Sequence, residues 1–461
     1  MCVWQLAAGQ WPNAAVVRVA FRGRAHDRVL AQARAAERGA RAGPGVSRWV
    51  RELGPGLITG AADDDPSGIA TYSQAGAAFG YGLLWTAILC MPLMAAVQTM
   101  CARVGVVAES GLANVLRVHY SRWLLWLVCL LLFAGNTINI AADLGGMGAS
   151  AELLTGVNAL WFVPLFTMLI LALLVFASYA RMTRIFKWLT LVLFAYVAAA
   201  FFARPHWRAV ASGTFLPRVT PGHDYLLMIV AILGTTISPY LFFWQAAQNA
   251  EQEEHASPNG RRRRSRWAVH RSLAGATRDV RAGMFVSQAI MYFIILTTGA
   301  TLHATHPVIE TASEAAAALR PLAGAGATVL FAAGVVGTGL LGVPVLAGSA
   351  AYALGEAALW RTGMDETPRS AGPFYAVMAS AMLLGMGLAF AHLNAMRLLV
   401  WSAVVNGLLA PPLIVVILMI CNNREVMREH RNGWGLNVLG GIIAVLMSAA
   451  AVALVVSWVG G

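Results

Sequence analysis

The sequence predicts an all-α integral membrane protein with 11 transmembrane helices. They are arranged as two inverted five-helix repeats with broken helices 1 and 6, followed by an eleventh helix. Three observations lead there: a composition too apolar for water, a series of apolar runs of spanning length, and two of those runs interrupted five spans apart. Of 461 residues, 58% are hydrophobic and only 12% charged, against roughly 25% charged in soluble domains. With a mean hydropathy of +0.65, a soluble enzyme and a disordered chain are both excluded. The net charge of +12 therefore does not point to nucleic acid. In a membrane protein, basic residues report topology.

A helix needs about 20 apolar residues to cross a hydrocarbon core of about 30 Å. Segments near residues 54–79, 82–102, 123–144, 159–178, 185–203, 224–248, 283–302, 323–352, 372–391, 396–421 and 436–459 meet that requirement. Residues 1–50 precede them as a basic, Ala-rich arm that carries Arg18, Arg22, Arg24, Arg28, Arg34, Arg38 and Arg41, without the apolar core of a signal peptide. With this arm placed inside, 28 of the 33 Lys and Arg fall in cytoplasmic connections and 5 outside. The expectation is a multi-pass plasma-membrane protein with a cytoplasmic N-terminus and an extracytoplasmic C-terminus. The connection 251–281 is read as a basic cytoplasmic loop, whose run Arg261 to Arg264 anchors topology and meets anionic lipid. Cys2, Cys90, Cys101, Cys129 and Cys421 are scattered without a CxxC pair, so they describe neither a disulfide framework nor a thiolate site.

The first span reads Gly54-Pro-Gly-Leu-Ile-Thr-Gly-Ala-Ala-Asp-Asp-Asp-Pro-Ser-Gly, and the sixth reads Gly234-Thr-Thr-Ile-Ser-Pro-Tyr. Pro66 and Pro239 each remove a backbone donor and clash with the preceding turn, so each span becomes two half-helices. Unwound backbone at bilayer depth persists only where protein or a wet cavity surrounds it. Five spans separate the breaks, and an odd number inverts the second copy. The expected units are a first repeat over 51–205, a second over 206–422, and the eleventh helix within 423–461.

Asp63, Asp64 and Asp65 interrupt an apolar span, where each carboxylate costs about 2.5–3.5 kcal/mol on insertion scales and needs a compensating partner. Asp65, next to Pro66, is expected as the main ligand of a cation, together with carbonyls freed near Ala62 and hydroxyls of Thr235 and Ser238 across the site. The competing reading makes the aspartates a helix cap and the hydroxyls ordinary back-bonding groups. Asp64, Thr236, Tyr240 and Asn406 are vestibule candidates, and Asp143 in the third span is a candidate proton or polar relay near Asn136 and Asn139. All the ligands offered at the breaks are oxygens, which suits hard cations. In the eighth span, Gly334, Gly337, Gly339, Gly342 and Gly348 suggest close helix approach, with an unwound segment as the sharper reading.

Together these features resemble the Nramp family of divalent-metal transporters from about Gly54 onward. The resemblance implies an amino-acid-transporter-like fold and an alternating-access carrier with no cofactor. The family's Asp-Pro-Gly-Asn appears as Asp65-Pro66-Ser67-Gly68, which keeps the acid and loses the amide. Its Met-Pro-His appears as Ser238-Pro239-Tyr240, and its Asp-Leu-x-Glu as Asp143-Leu144-Gly145-Gly146. These departures are similar to the Nramp-related magnesium branch. A pocket opened by Gly68 and Ser238 leaves room for a partly hydrated ion.

The expected function is therefore transport of Mg2+, with Mn2+ tolerated and without strict proton coupling. The alternatives are a proton-coupled Mn2+/Fe2+ carrier, an amino-acid-type carrier of the same fold, or a membrane-embedded metal-dependent transferase.

Overall fold

The computed structural model describes residues 55–176, 191–217, 219–220, 222–256, 266–391 and 394–459. The N-terminal arm, the Arg261 to Arg264 run and the first part of the fifth span lie outside the described residues.

The described chain is helical throughout its apolar runs. It comprises α1 (Pro55–Asp63), α2 (Pro66–Phe79), α3 (Trp85–Ala108), α4 (Leu112–His119), α5 (Arg122–Thr155), α6 (Ala159–Phe176), α7 (Phe194–Phe202), α8 (Trp207–Phe215), α9 (His223–Thr236), α10 (Pro239–Ala256), α11 (Arg266–Thr301), α12 (Ala312–Ala317), α13 (Arg320–Ala323), α14 (Ala327–Ala358), α15 (Gly372–Ala389), α16 (Ala395–Asn422), α17 (Arg424–Met427) and α18 (Trp434–Val459). Among the described residues, nine helical stretches are long and apolar enough to cross a membrane. The first span falls outside that count, and so does the fifth, described only from Leu191.

Both proline breaks are present. Asp65 is extended (φ −69°, ψ 174°) and Pro66 opens α2 as its first residue, where a missing N–H loses nothing. In the sixth span Ile237 leaves the helix (φ −116°, ψ 58°) and Pro239 starts α10. The eighth span is different. Despite its glycines and Pro344, α14 runs unbroken over Ala327–Ala358, so the glycines serve close approach rather than unwinding. A β-carbon at Gly339 would collide with Met147 of α5, and one at Gly348 would lie 2.7 Å from the Trp244 ring of α10.

Much of the connection 251–281 is helical. α10 continues to Ala256 and α11 begins at Arg266, so Arg271, Arg278 and Arg281 ride on helix. Hydropathy marks only the part of a helix that lies in lipid. A 36-residue α11, at 1.5 Å per residue, extends well beyond a core of about 30 Å.

Two groups of helices surround the breaks. α11 packs along α1, α2 and α3, while α10 packs on α3. The spacing Gly56-x-x-x-Gly60 puts two small residues on one face of α1, where β-carbons would collide with α11 at Val280 and Gly283. Asp279 of α11 accepts the Gly56 N–H at 2.6 Å and satisfies the start of α1. In the second group, α5 packs on α6, α14 and α15. Asn136 of α5 ties it to α14 by donating to the Leu346 carbonyl at 2.9 Å and to Ser349 Oγ at 2.7 Å. α16 bridges the groups through α9, α5 and α18, and Gly234 lets α9 approach Ala403 and Gly407. Apolar side chains such as Trp123, Leu127 and Leu130 on α5, and Trp161, Leu165 and Met168 on α6, face outward, as the lipid-facing surface of a bundle requires.

Candidate metal centre

The two breaks meet. A β-carbon at Gly68 of α2 would lie 3.3 Å from both the Asp63 carbonyl and Thr235 Oγ1, so the start of α2 rests directly on the end of α9. From the far side of the sixth break, the Tyr240 hydroxyl donates to the Ala62 carbonyl at 2.9 Å and to Asp65 Oδ2 at 3.3 Å.

Asp65 lies at the centre of this junction and is 2% exposed. Its Oδ1 accepts the Gly68 N–H at 2.8 Å, so the residue caps α2, as the competing sequence reading required. The cap occupies one lone pair of one oxygen. Oδ2 accepts from Asn139 Nδ2 of α5 at 3.0 Å in addition to Tyr240. A carboxylate offers about four lone-pair sites, so capping and cation binding are compatible.

Two hydroxyls of the sixth span, those of Ser238 and Thr236, make back-bonding contacts. Ser238 Oγ donates to the carbonyls of Gly234 (2.8 Å) and Thr235 (2.7 Å), and Thr236 Oγ1 donates to Ile232 (2.7 Å). A hydroxyl whose hydrogen is committed in this way still presents its oxygen as an acceptor. The Ala62 carbonyl, expected to face an ion, here accepts from Tyr240.

Asp143 belongs to the same site. Its Oδ2 is 3.5 Å from Asn139 Nδ2, and it lies in reach of the Ser67 backbone N–H at the start of α2, where the helix dipole favours negative charge. Gly342 of α14 makes room for both acids. A β-carbon there would be 3.1 Å from Asp65 Cβ and 4.0 Å from Asp143 Oδ2. Asn406 stands one step back, with its Nδ2 donating to Asn139 Oδ1 at 3.2 Å. Asn139, read from sequence only as a packing neighbour of Asp143, is thus the residue that joins Asp65, Asp143 and Asn406. Cys90 of α3, read from sequence only as one of five scattered cysteines, contacts Thr236.

Asp64 turns away from Asp65, toward Ser287 of α11, together with Asp63. Among the described residues, no ion pair involves any of these four acids, and no three of His, Cys, Asp and Glu converge on one point. The centre therefore offers a carboxylate, hydroxyls, carbonyls and an amide, a hard-oxygen set with few charged ligands.

The sequence profile described as "Natural resistance-associated macrophage protein-like", the Nramp family, matches residues 56–457. The chain belongs to the Nramp family. Among its relatives, a divalent metal cation transporter MntH from Deinococcus radiodurans is 28% identical over 424 residues, covering 88% of this chain and 90% of its own. An MntH from Aeromonas hydrophila is 25% identical over 407 residues, covering 86% and 93%. Among solved structures, a manganese transporter from Eremococcus coleocola superposes with a TM-score of 0.73 at 18% identity, covering 90% of this chain and 89% of that one. MhsT in complex with L-phenylalanine superposes at 0.55 with 11% identity, over 86% and 98%. These two likenesses concern the fold.

Proposed function

We propose that this Nramp-family chain carries divalent metal cations across the membrane by alternating access, with Asp65 as the main charged ligand. The observation that carries the reading is the meeting of two interrupted helices at a buried carboxylate with no basic partner among the described residues. Such a charge at bilayer depth calls for a cation. The MntH relatives support metal transport over the transferase and amino-acid readings. The likeness to the Eremococcus coleocola manganese transporter turns the proposed cargo toward Mn2+, which the sequence reading held as a tolerated ion and, with Fe2+, as its proton-coupled alternative. Mg2+ remains as a second reading on one observation: Ser238 stands where the family carries a thioether, and Gly68 where it carries an amide. Without a soft ligand, discrimination against Mg2+ weakens. The orientation proposed is N-terminus in and C-terminus out, with the basic connections against the cytoplasmic leaflet.

The test is uptake into liposomes that hold the purified chain. Asp65→Ala should lower Mn2+ and Mg2+ uptake by more than the roughly 10–100-fold typical of outer-shell changes. Uptake at the unmutated level would remove Asp65 from the mechanism. Gly68→Asn with Ser238→Met should raise the Mn2+ and Cd2+ rates relative to Mg2+. An unchanged ion ranking would argue against these two positions as selectivity determinants. A divalent ion needs no proton partner, because two charges falling through 100 mV release about 4.6 kcal/mol, at about 2.3 kcal/mol each. Uptake should therefore follow an inside-negative potential without stoichiometric internal acidification. Acidification in step with metal entry would establish the proton-coupled alternative.

A further inference from the structure

At the end of α2 away from the first break, the connection 302–311 between α11 and α12 is held on two helices at once. Gln74 of α2 grips its backbone with both ends of one amide: Nε2 donates to the Pro307 carbonyl at 3.1 Å, and Oε1 accepts the Ile309 N–H at 2.8 Å. His303 Nδ1 donates at 2.8 Å to the Ala77 carbonyl, one of the last four of α2, which lack partners inside the helix. Gly80, with φ +58°, lets that ring in, since a β-carbon there would be 3.1 Å from His303 Cδ2. Leu302 and Ile309 seat the connection and are 2% and 4% exposed.

The same strap is held on α16. Asn394 Nδ2 donates to the Glu310 carbonyl and Arg397 Nη2 to Glu310 Oε1, both at 3.0 Å. The chain then enters α12, which packs on α5 and α14 of the second group, whereas α11 belongs to the first. α2 and α16 pack on each other, and both run from this strap to the candidate metal centre. Gln74 stands nine residues from Asp65 and Arg397 nine from Asn406, which is about 13 Å along each helix at 1.5 Å per residue.

A backbone segment that passes from one helix group to the other, tied on its way to α2 and α16 by a few polar bonds, holds the ends of those two helices together. We propose that the connection 302–311 is the gate at this end of the molecule, with Gln74 and Arg397 as its clasps, so that a divalent ion passes between α2 and α16 only when a clasp lets go. Both clasps suit a gate. The Arg397–Glu310 pair is exposed, at 68% and 55% of the side chains, so water readily replaces it. The Gln74 amide also lies within reach of solvent, where its donor and acceptor and the two backbone groups find new partners in water. The gate rests on the transport reading above and names the residues that control access from this side.

The test locks the strap and then frees it. Full-length chain with Glu310→Cys and Arg397→Cys is placed in liposomes and bridged with a bis-methanethiosulfonate that a reductant removes; the native cysteines among the described residues are buried. Mn2+ uptake should fall at least tenfold on bridging and return on reduction, while the wild type treated alike is unaffected. Uptake that continues at the unbridged rate would overturn the gate. Gln74→Leu deletes both amide bonds and serves as the readout should the cysteine pair fail to fold. It should speed maleimide alkylation of Cys90, which is 0% exposed and in contact with Thr236, several-fold. An unchanged rate would also overturn the proposal. A wild type that carries no Mn2+ would fail the transport reading, and the Cys90 rate would still decide the strap.

Discussion

Asn139 decides how Asp65 is presented, because its Nδ2 is the only side-chain amide among the described residues bonded to that carboxylate, at 3.0 Å. Its own oxygen is held by Asn406 at 3.2 Å. Asn139→Ala removes the orienting bond and leaves the charge in place, so metal affinity should fall by about 10–100-fold, as for outer-shell partners generally. Titration of the purified variant with Mn2+ checks this, and an affinity equal to wild type would reduce Asn139 to packing. The difference between Asp65 and Asn139 also shows what a sequence can reveal. Asp65, Gly68 and Ser238 could be proposed from the sequence because a proline, a charge and small residues cluster within a few positions of an apolar run. Asn139 was not legible as a site residue. It lies in a 34-residue helix whose apolar residues run all around it, so no periodicity says which face turns inward. The roles of Tyr240 and Ser287 were hidden for the same reason, since each depends on a partner more than 170 residues away in sequence.

At the scale of helices, glycines set how near the elements come, and Gly342 sets how near α14 comes to the first break. A β-carbon there would stand 3.1 Å from Asp65 Cβ, tighter than most real contacts. Gly342→Ala should therefore push the carboxylate out of line and lower uptake. Overpacking of this kind typically destabilises a core by about 1–3 kcal/mol. Gly441→Ala on α18 is the control, because nothing lies within 4 Å of its β-carbon position. Uptake and thermal unfolding in detergent measure both variants, and equal behaviour of the two would remove Gly342 from the account. The element scale is where the sequence was most legible. Long apolar runs and prolines at bilayer depth follow from the insolubility of bare backbone in lipid, so spans and breaks can be read directly. Helix ends beyond the bilayer obey no such constraint, which is why α5 extends to Thr155 and α11 begins at Arg266, past the expected limits.

For the whole molecule, the proposed alternating access requires that contacts between the two helix groups be breakable, and one such contact lies at the far end of α10 from the candidate metal centre. Glu251 of α10 accepts from the Tyr352 hydroxyl of α14 at 2.7 Å and from the Met364 N–H, beyond α14, at 3.3 Å. Gln248 Nε2, one turn earlier on α10, donates to the same tyrosine oxygen at 3.1 Å. These bonds join α10, which packs on α3, to α14, which packs on α5, so separating the groups at this end must break them. Tyr352→Phe keeps the ring and its packing against Trp244 and Phe374 while deleting the hydroxyl. A hydrogen bond contributes about 0.5–1.5 kcal/mol, so its loss should enlarge the open population several-fold. Cys90 reports that opening: it is 0% exposed, close to Thr236 at the sixth break, and can meet a thiol reagent only when the groups part. Alkylation at Cys90, followed by peptide mass spectrometry, should be correspondingly faster in Tyr352→Phe than in the wild type. An identical rate would mean that this contact is a fixed brace, and that the molecule opens somewhere other than between α10 and α14.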